Sequence, residues 1–295
     1  PPKTIIFIDY PGFNLRMARA LKKAGCPAKQ IQYVCPSVWA WGKGRIPSME
    51  NSLDQLLTLL PFEPELFSKT KLKALYIGHP LIQRLQSHSY DHTFRKQYGI
   101  DQETSILSIF PGSREKEIIR NLPVQIQAAK NILKKHQNLI LALSCADSKL
   151  LPLLEKYASP NIKIIRASNS YELMRDSHLA IATSGTINLE LALHKVPTVV
   201  TYAMPILDAF LAEKVFRINL PHYSLPNIIG KKEIFPELFG PYLTAENLEK
   251  KLRELSMSQF MRNSCIQACS ELKNILGNRD ASFEAARSIL NLEIF

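Results

Sequence analysis

The chain has 295 residues and a formal net charge of +11 at pH 7, from 37 Lys and Arg against 26 Asp and Glu. This length allows two domains, each large enough to bury a core. The charge predicts an anionic partner, whereas the scattered basic pairs, without long basic runs or interleaved aromatic residues, argue against a nucleic acid.

The cysteines and the apolar segments indicate where the protein works. Five cysteines, none of them in a Cys-x-x-Cys pair, argue against a disulfide scaffold or a zinc site and favour a reducing compartment. No apolar segment approaches the length of a membrane span. We therefore expect a cytoplasmic protein, in which any contact with a membrane is peripheral.

Short apolar segments rich in β-branched residues predict buried strands of a parallel sheet in the first part of the chain. These segments are 4–8, 31–34, 56–60 and 74–77. The first of them ends at Asp9, which places this carboxylate at the carboxyl edge of the sheet, where the ligands of open α/β sheets bind. A turn or helix-capping aspartate is the alternative interpretation.

Loops of the same region carry candidates for ligand contact. Trp39 and Trp41 lie in a loop with Pro, Gly and basic residues, where they either stack on sugars or acyl chains or fill the edge of a domain. His79 follows the fourth apolar segment. Such a histidine is more often a structural loop residue with satisfied hydrogen bonds than a catalytic residue.

A polar stretch over 81–100 predicts a linker between the domains 1–100 and 101–295. Beyond it, apolar segments alternate with helical patterns, which predicts a second, doubly wound parallel sheet. The segments predicted as strands are 106–110, 139–143, 162–165, 179–182 and 198–200, and those predicted as helices are 123–136, 170–176 and several helices within 244–292.

Two turns of the second half are candidates for binding a nucleotide. After 106–110 the chain continues with Pro-Gly-Ser-Arg and then a helical pattern, so that Gly112 lets the backbone approach a ligand, while Arg114 and free helix amides suit a diphosphate. An ordinary turn with a solvated arginine is the alternative. A second glycine and hydroxyl turn follows 179–182, and Glu190 beyond it can accept hydrogen bonds from ribose hydroxyls.

Several short motifs, in order across most of the chain, make it similar to the lipid-A-disaccharide synthase family, glycosyltransferases of the GT-B fold. Each motif is weak by itself, but their combination and order are specific. The motifs lie at 9–14, 36–41, 60–63, 78–80, 111–114, 184–186 with Glu190, and 224–227.

This resemblance implies two doubly wound α/β domains. It also implies an inverting transfer of 2,3-diacylglucosamine from its UDP derivative to 2,3-diacylglucosamine 1-phosphate, which yields lipid A disaccharide phosphate and UDP. Asp9 would be the general base. The donor would be bound by Gly112, Ser113, Arg114, Ser184, Gly185, Thr186, Glu190 and Asn227. Trp39, Trp41 and His79 would contact the acceptor or lipid.

The resemblance further implies that the leaving diphosphate is stabilised by Arg114 and helix amides, so that no metal ion or cofactor is expected. The expected partners are the UDP-sugar donor and the acylated sugar phosphate acceptor, with peripheral contact at the inner face of the bacterial inner membrane. No nucleic acid is expected, and a homo-oligomer is left open.

The chain departs from the family pattern at Gly12, where many members carry a second aspartate, which weakens any scheme that needs a carboxylate pair. The first half also has only about four strands in about 80 residues, so we expect a truncated first domain that lacks on the order of 80 to 90 residues.

Two rival interpretations are a UDP-sugar 2-epimerase-like isomerase and a non-catalytic UDP-binding fragment. The motifs at 36–41 and 224–227 argue against the isomerase.

Overall fold

The computed structural model describes residues 2–40, 42–136, 138–204 and 221–293. Contacts between Cα atoms group the chain into two compact units. The first unit comprises the residues up to His88 together with those from Asn274 onward, and the second unit is Ser89–Lys273.

A parallel sheet forms the centre of the first unit, with its strands side by side in the order β1-β2-β3-β4. The predicted apolar segments of this half are confirmed as strands, with bounds that differ by one or two residues. Strand β1 forms one edge of the sheet, and Asp9 follows its carboxyl end. The strands are β1 (Thr4–Ile8), β2 (Lys29–Tyr33), β3 (Gln55–Thr58) and β4 (Lys73–Tyr76).

Three helices of this unit, α1 (Pro11–Lys23), α2 (Ile46–Ser52) and α3 (Pro80–Gln86), each carry a proline at the first or second position. Proline is tolerated there because the first N–H groups of a helix have no partner within the helix. Helices α1 and α2 bury apolar side chains against one face of the sheet. This cluster includes Phe7, Leu15, Ala18, Met49 and Leu56.

The last helix, Ala281–Glu293, packs on the sheet of the first unit, although we expected domains at 1–100 and 101–295. An amphipathic pattern predicts a helix, but it does not predict which sheet the helix packs on. Here the helix buries the face of the first sheet opposite to the one that α1 and α2 cover. In addition, Gln55 Nε2 donates to Ser288 Oγ over 2.7 Å. An apolar cluster joins Ala285 of this helix to Ile31, Leu57 and Ile77.

The second unit contains a parallel sheet in the order β10-β9-β8-β5-β6-β7. If the strands of this unit are counted from one to six, the order is that of dinucleotide-binding sheets, and the strand order reverses between β5 and β8. Ligands of such sheets bind at this point of reversal. The strands are β5 (Ser105–Phe110), β6 (Leu139–Cys145), β7 (Ile162–Arg166), β8 (Leu179–Thr183), β9 (Thr198–Tyr202) and β10 (Glu237–Phe239).

Helices cover this second sheet. We expected a separate helix at 123–136, which is wrong, because one helix runs over Glu115–Leu133 with Pro123 inside it. A proline in this position removes one backbone hydrogen bond, and burial of apolar side chains on both sides of it compensates for the loss. The helices are α4 (Phe94–Gln97), α5 (Glu115–Leu133), α6 (Leu151–Glu155), α7 (Ser170–Asp176), α8 (Ile187–Leu193), α9 (Leu225–Gly230), α10 (Ala245–Met257) and α11 (Gln259–Leu276).

Within the described ranges, no helix combines the length and the apolar character that a membrane span requires.

Candidate functional site

The two predicted nucleotide turns start at neighbouring strands. Strand β5 ends at Phe110 and β8 ends at Thr183, and the two strands pair in parallel, with Phe110 opposite Ala182. Both turns therefore leave the sheet at the same edge, where the strand order reverses.

Gly112 occupies a position in the first turn that only glycine fits. Its φ is +118°, and a Cβ atom there would lie 2.9 Å from both Cβ and Oε2 of Glu117. Side chains of L-residues rarely adopt this φ, and real Cβ atoms do not approach other atoms so closely. The Glu117 side chain therefore packs directly against the Gly112 backbone, in the space that a side chain at this position would need.

Glu117 holds the groups that we predicted for the diphosphate. Its carboxylate accepts a hydrogen bond from the Ser113 amide over 3.3 Å and from Arg114 Nη1 over 2.5 Å. The Arg114 side chain is 79% exposed, so this ion pair lies at the surface. The sequence analysis missed Glu117, although an acidic residue at the third position of a helix is the signal of a capping glutamate.

The second turn is more open than the first. Gly185 and Thr186 are exposed, the half-buried Ser184 donates its amide to the Thr201 carbonyl over 2.9 Å, and a Cβ added at Gly185 would meet no atom within 4 Å. Farther along, the hydroxyl of Tyr171 donates to Oε1 of Glu190 over 3.3 Å. Glu190 is thus half-buried, and Tyr171 binds one of its carboxylate oxygens.

A buried layer of polar side chains lies beneath the turns, and the sequence analysis missed it. Gln125 Nε2 donates to Thr201 Oγ1 over 2.8 Å and to Thr183 Oγ1 over 3.2 Å. Asn121 Nδ2 donates to the Glu117 carbonyl over 2.9 Å. Glu117, Asn121 and Gln125 recur every four residues along α5, which puts them on one face of the helix. The four-residue spacing of these polar residues in the sequence is the pattern that could have indicated the buried layer.

Asn227 has a structural role that differs from the predicted donor contact. It is fully buried, and its Nδ2 donates to the Phe235 carbonyl and to Glu237 Oε1, both over 2.8 Å. Its Oδ1 accepts from the amides of Ile234 and Phe235 over 2.8 and 2.9 Å. Because an amide side chain has two donors and two acceptor positions, no capacity is left for a ligand.

Asp9 lies in a strained turn after β1. Its φ is +46° and that of Tyr10 is +39°, a backbone conformation that is costly for residues other than glycine. Asn14 Nδ2 donates to the Asp9 carbonyl over 2.7 Å and Gln32 Nε2 donates to it over 3.0 Å. Within the described part of the chain, the exposed Asp9 carboxylate itself has no hydrogen-bond partner.

The other predicted contacts of the first unit are placed less favourably for a ligand. Trp39 is half-buried, with its ring edge-on to Phe62 at 5.8 Å between centroids. His79 is buried and caps α3, since its Nδ1 accepts from the Leu81 amide over 3.3 Å, and burial lowers its pKa to about 4. Trp41 lies outside the described residues.

Glu63 is a buried carboxyl group that sequence reasoning did not single out. Its exposed fraction is 3%, and burial raises its pKa to about 7. Hydrogen bonds from the Leu60 amide, at 3.0 Å, and from the side chains of Cys35 and Trp39 act in the opposite direction. Glu63 therefore joins the tryptophan loop to the segment after β3.

The chain is similar to known proteins over most of its length. The model of the lipid-A-disaccharide synthetase family matches residues 1–289. The lipid-A-disaccharide synthase of Chlamydia caviae is 43% identical over 244 residues, which cover 81% of this chain and 38% of that protein. The enzyme of the same name from Coxiella burnetii is 34% identical over 292 residues, which cover 99% of this chain and 76% of that protein.

The fold has a counterpart among solved structures. The Staphylococcus aureus MnaA–UDP co-structure has a TM-score of 0.65 at 13% identity, covering 99% of this chain and 75% of that one. At this identity the likeness concerns the fold alone, and it confirms the expected pair of parallel-sheet α/β domains of the GT-B type. The family match over residues 1–289 and the identity with the Coxiella protein show that the chain belongs to the lipid-A-disaccharide synthetase family.

Proposed function

We propose that the protein transfers 2,3-diacylglucosamine from its UDP derivative to 2,3-diacylglucosamine 1-phosphate and forms lipid A disaccharide phosphate and UDP. The observation that carries this proposal is the family match over residues 1–289, which includes the Asp9 turn and both turns at the reversal of the second sheet. The chain spans 38% of the length of the Chlamydia caviae relative, so the activity of the whole protein is inferred from its family.

The donor side of the proposed reaction lies at the two turns of the second unit. The Ser113 amide and Arg114 present donors that suit a diphosphate, and both are now held by the carboxylate of Glu117. A diphosphate would take over these donors. Glu190 would accept a hydrogen bond from the ribose, while Ser184 and the turn at 185–186 would contact the nucleotide. We leave Asn227 out of this site because its amide is saturated.

The acceptor side of the proposed reaction lies at Asp9. Its carboxylate would take the proton from the acceptor hydroxyl as that oxygen attacks the anomeric carbon. The bond between this carbon and the UDP oxygen breaks in the same step, and UDP leaves with the electron pair, which inverts the anomeric centre. Asn14 and Gln32 donate hydrogen bonds to the Asp9 carbonyl, and these bonds fix the backbone that positions the exposed carboxylate.

The test measures the formation of disaccharide phosphate by the natural protein, with thin-layer chromatography as the assay. Asp9→Asn keeps the size of the side chain but removes its basicity, so we expect kcat to fall by roughly 10²- to 10⁴-fold with unchanged UDP affinity. Asp101→Asn, an exposed aspartate of the second unit, is the matched control. Near-normal turnover by Asp9→Asn would place the base elsewhere, and no disaccharide from the unmodified protein would refute the reaction.

We also propose that the protein works as a peripheral protein at the inner face of the inner membrane. The inferred substrates are acylated, and a net charge of +11 favours anionic lipid surfaces. The candidate contact Trp41 lies outside the described residues. Flotation with anionic and zwitterionic liposomes tests this proposal, and we expect binding that depends on the anionic lipid and weakens with salt.

A further inference from the structure

Two adjoining grooves between α1 and α2, of about 320 and 340 Å³, form a strongly cationic site in the first unit. Arg19 and Ser48 line both grooves. The described residues that line them include no Asp or Glu, so the positive charge is not neutralised from within. The cationic lining residues are Arg16, Arg19, Lys22, Lys23 and Arg45.

The two arginines of α1 are prepared for an anion. Arg16 Nε donates to the Gly12 carbonyl over 2.7 Å, and Arg19 Nε donates to the Leu15 carbonyl over 3.3 Å. Their Nη groups have no hydrogen-bond partner among the residues that the structure describes. Because each guanidinium is already tied at Nε, less side-chain freedom is lost when the Nη groups bind a phosphate.

Gly12 keeps this site free of negative charge. It lines the groove, and a Cβ added there would meet no atom within 4 Å. An acidic side chain at this position would lie among the lining cations. Glycine at position 12 therefore favours an anion in the groove.

An apolar stripe runs along α1 beside the cations. The exposed fractions of Tyr10, Phe13 and Met17 are 72%, 48% and 38%. At 3.6 residues per turn Phe13 and Met17 lie on the side of the helix away from its buried face, about 60° and about 100° around the axis from Arg16, and Tyr10 precedes the helix. Cations flanked by exposed apolar groups suit a phosphate that is attached to an acylated molecule.

We propose that this groove binds the phosphate monoester of an acylated sugar phosphate, with its acyl chain along the apolar stripe of α1. The identity of this ligand rests on the proposed function, in which the acceptor is acylated and carries a 1-phosphate. The groove begins at Pro11 and Gly12, directly after the turn that holds Asp9. A phosphate bound there would anchor the acceptor next to the base and would select phosphorylated acceptors.

The test measures binding without the donor, by calorimetry of the natural protein with a short-acyl diacylglucosamine 1-phosphate and with its dephosphorylated analogue. We expect the phosphorylated ligand to bind at least tenfold more tightly, and Arg16→Gln/Arg19→Gln to lose this preference. Lys69→Gln/Lys71→Gln removes the same charge from exposed positions that do not line the grooves, and should keep the preference. UDP affinity should be equal in all three proteins.

Retention of the preference by Arg16→Gln/Arg19→Gln would overturn the proposal. If this variant keeps the preference and also loses binding to vesicles with 30% anionic phospholipid, the groove binds membrane head groups and not the acceptor phosphate. Arg16→Lys/Arg19→Lys retains charge and should keep part of the preference, which excludes misfolding as the cause. Arginine-dependent binding without any disaccharide formation would refute the proposed reaction and leave the groove assignment intact.

Discussion

The turn at Asp9 and the turn at Gly112 both contain backbone with positive φ, but different types of residue adopt it. Each follows a parallel strand and each contains backbone with positive φ. At Gly112 a glycine adopts this conformation without strain, whereas at Asp9 and Tyr10 residues with side chains adopt it. In the reaction that we propose, the strained turn presents the side chain of Asp9, whereas the turn at Gly112 presents backbone amides.

The groups that hold the two turns differ as well. Neutral amides of Asn14 and Gln32 bind the Asp9 carbonyl and leave its carboxylate available. The first turn of the second unit is held by Glu117, which binds the Ser113 amide and Arg114 themselves. Changes near Asp9 should therefore alter turnover, and changes near Gly112 should alter donor affinity.

The largest effect is expected for Asn14→Ala. Loss of the hydrogen bonds to the carbonyls of Asp9 and Ile8 releases the strained turn, and we expect kcat to fall about 100-fold with unchanged UDP affinity. Adding Tyr10→Gly should restore part of this loss, because glycine adopts positive φ without strain. Steady-state kinetics and UDP calorimetry of both variants measure these effects.

The control for this pair is Asn274→Ala, an exposed asparagine whose side chain has no hydrogen bond among the described residues. Normal kcat in Asn14→Ala would show that its amide does not position the base. Lack of recovery with Tyr10→Gly would show that the loss has a cause other than backbone strain.

Gly112→Ala should weaken UDP binding by about 10- to 30-fold, because the methyl group would clash with Glu117 in a backbone conformation that costs alanine roughly 1–2 kcal/mol. Gly185→Ala is a matched control within the same predicted site. Its Cβ would meet no atom within 4 Å, so its UDP affinity should change by no more than about twofold. Equal losses in the two variants would contradict the distinction between the turns.

Glu117→Gln should tighten UDP binding about threefold to tenfold. Glutamine keeps the size of the side chain, but it no longer competes as an anion for the Ser113 amide and Arg114. The gain should shrink as salt is added, because the Arg114 side chain is exposed. Weaker binding would instead show that Glu117 orients Arg114 in the complex.

Strands β1 to β9 and the glycine turns could be predicted from the sequence, because apolar β-branched runs and Pro-Gly breaks act locally. Strand β10, Glu237–Phe239, was not predicted, since it is short and contains no β-branched residue. The conformation at Asp9 could not, since a positive φ in residues other than glycine depends on distant partners such as Gln32. The saturation of Asn227 depends on the later segment 234–237 in the same way. Local pattern therefore placed the candidate residues at the carboxyl ends of strands, and tertiary contacts decided which of these residues are available.

The smallest effect is expected for the pH dependence of the first unit, where two buried groups oppose each other. The pKa of Glu63 is raised to about 7, so between pH 4.5 and 7 the folded state binds more protons than the unfolded state, and stability falls as pH rises. The pKa of His79 is lowered to about 4, so between pH 4 and 6.5 the folded state binds fewer protons, and stability rises with pH. The free energy of unfolding should therefore change little between pH 5 and 6.5.

Single variants should expose the two opposing contributions. Glu63→Gln should make the first unit about 2 kcal/mol less stable at pH 5 than at pH 7, and His79→Asn, which keeps a helix-capping side chain, should make it about 2 kcal/mol more stable at pH 5 than at pH 7. Both tryptophans of the chain, Trp39 and Trp41, fall within the sequence range of the first unit, so we expect their fluorescence during urea unfolding to report on this unit. Flat profiles in both variants would show that neither group titrates with a shifted pKa. Opposite slopes would show that the first unit, with its strained turn, also contains a balanced pair of buried titratable groups.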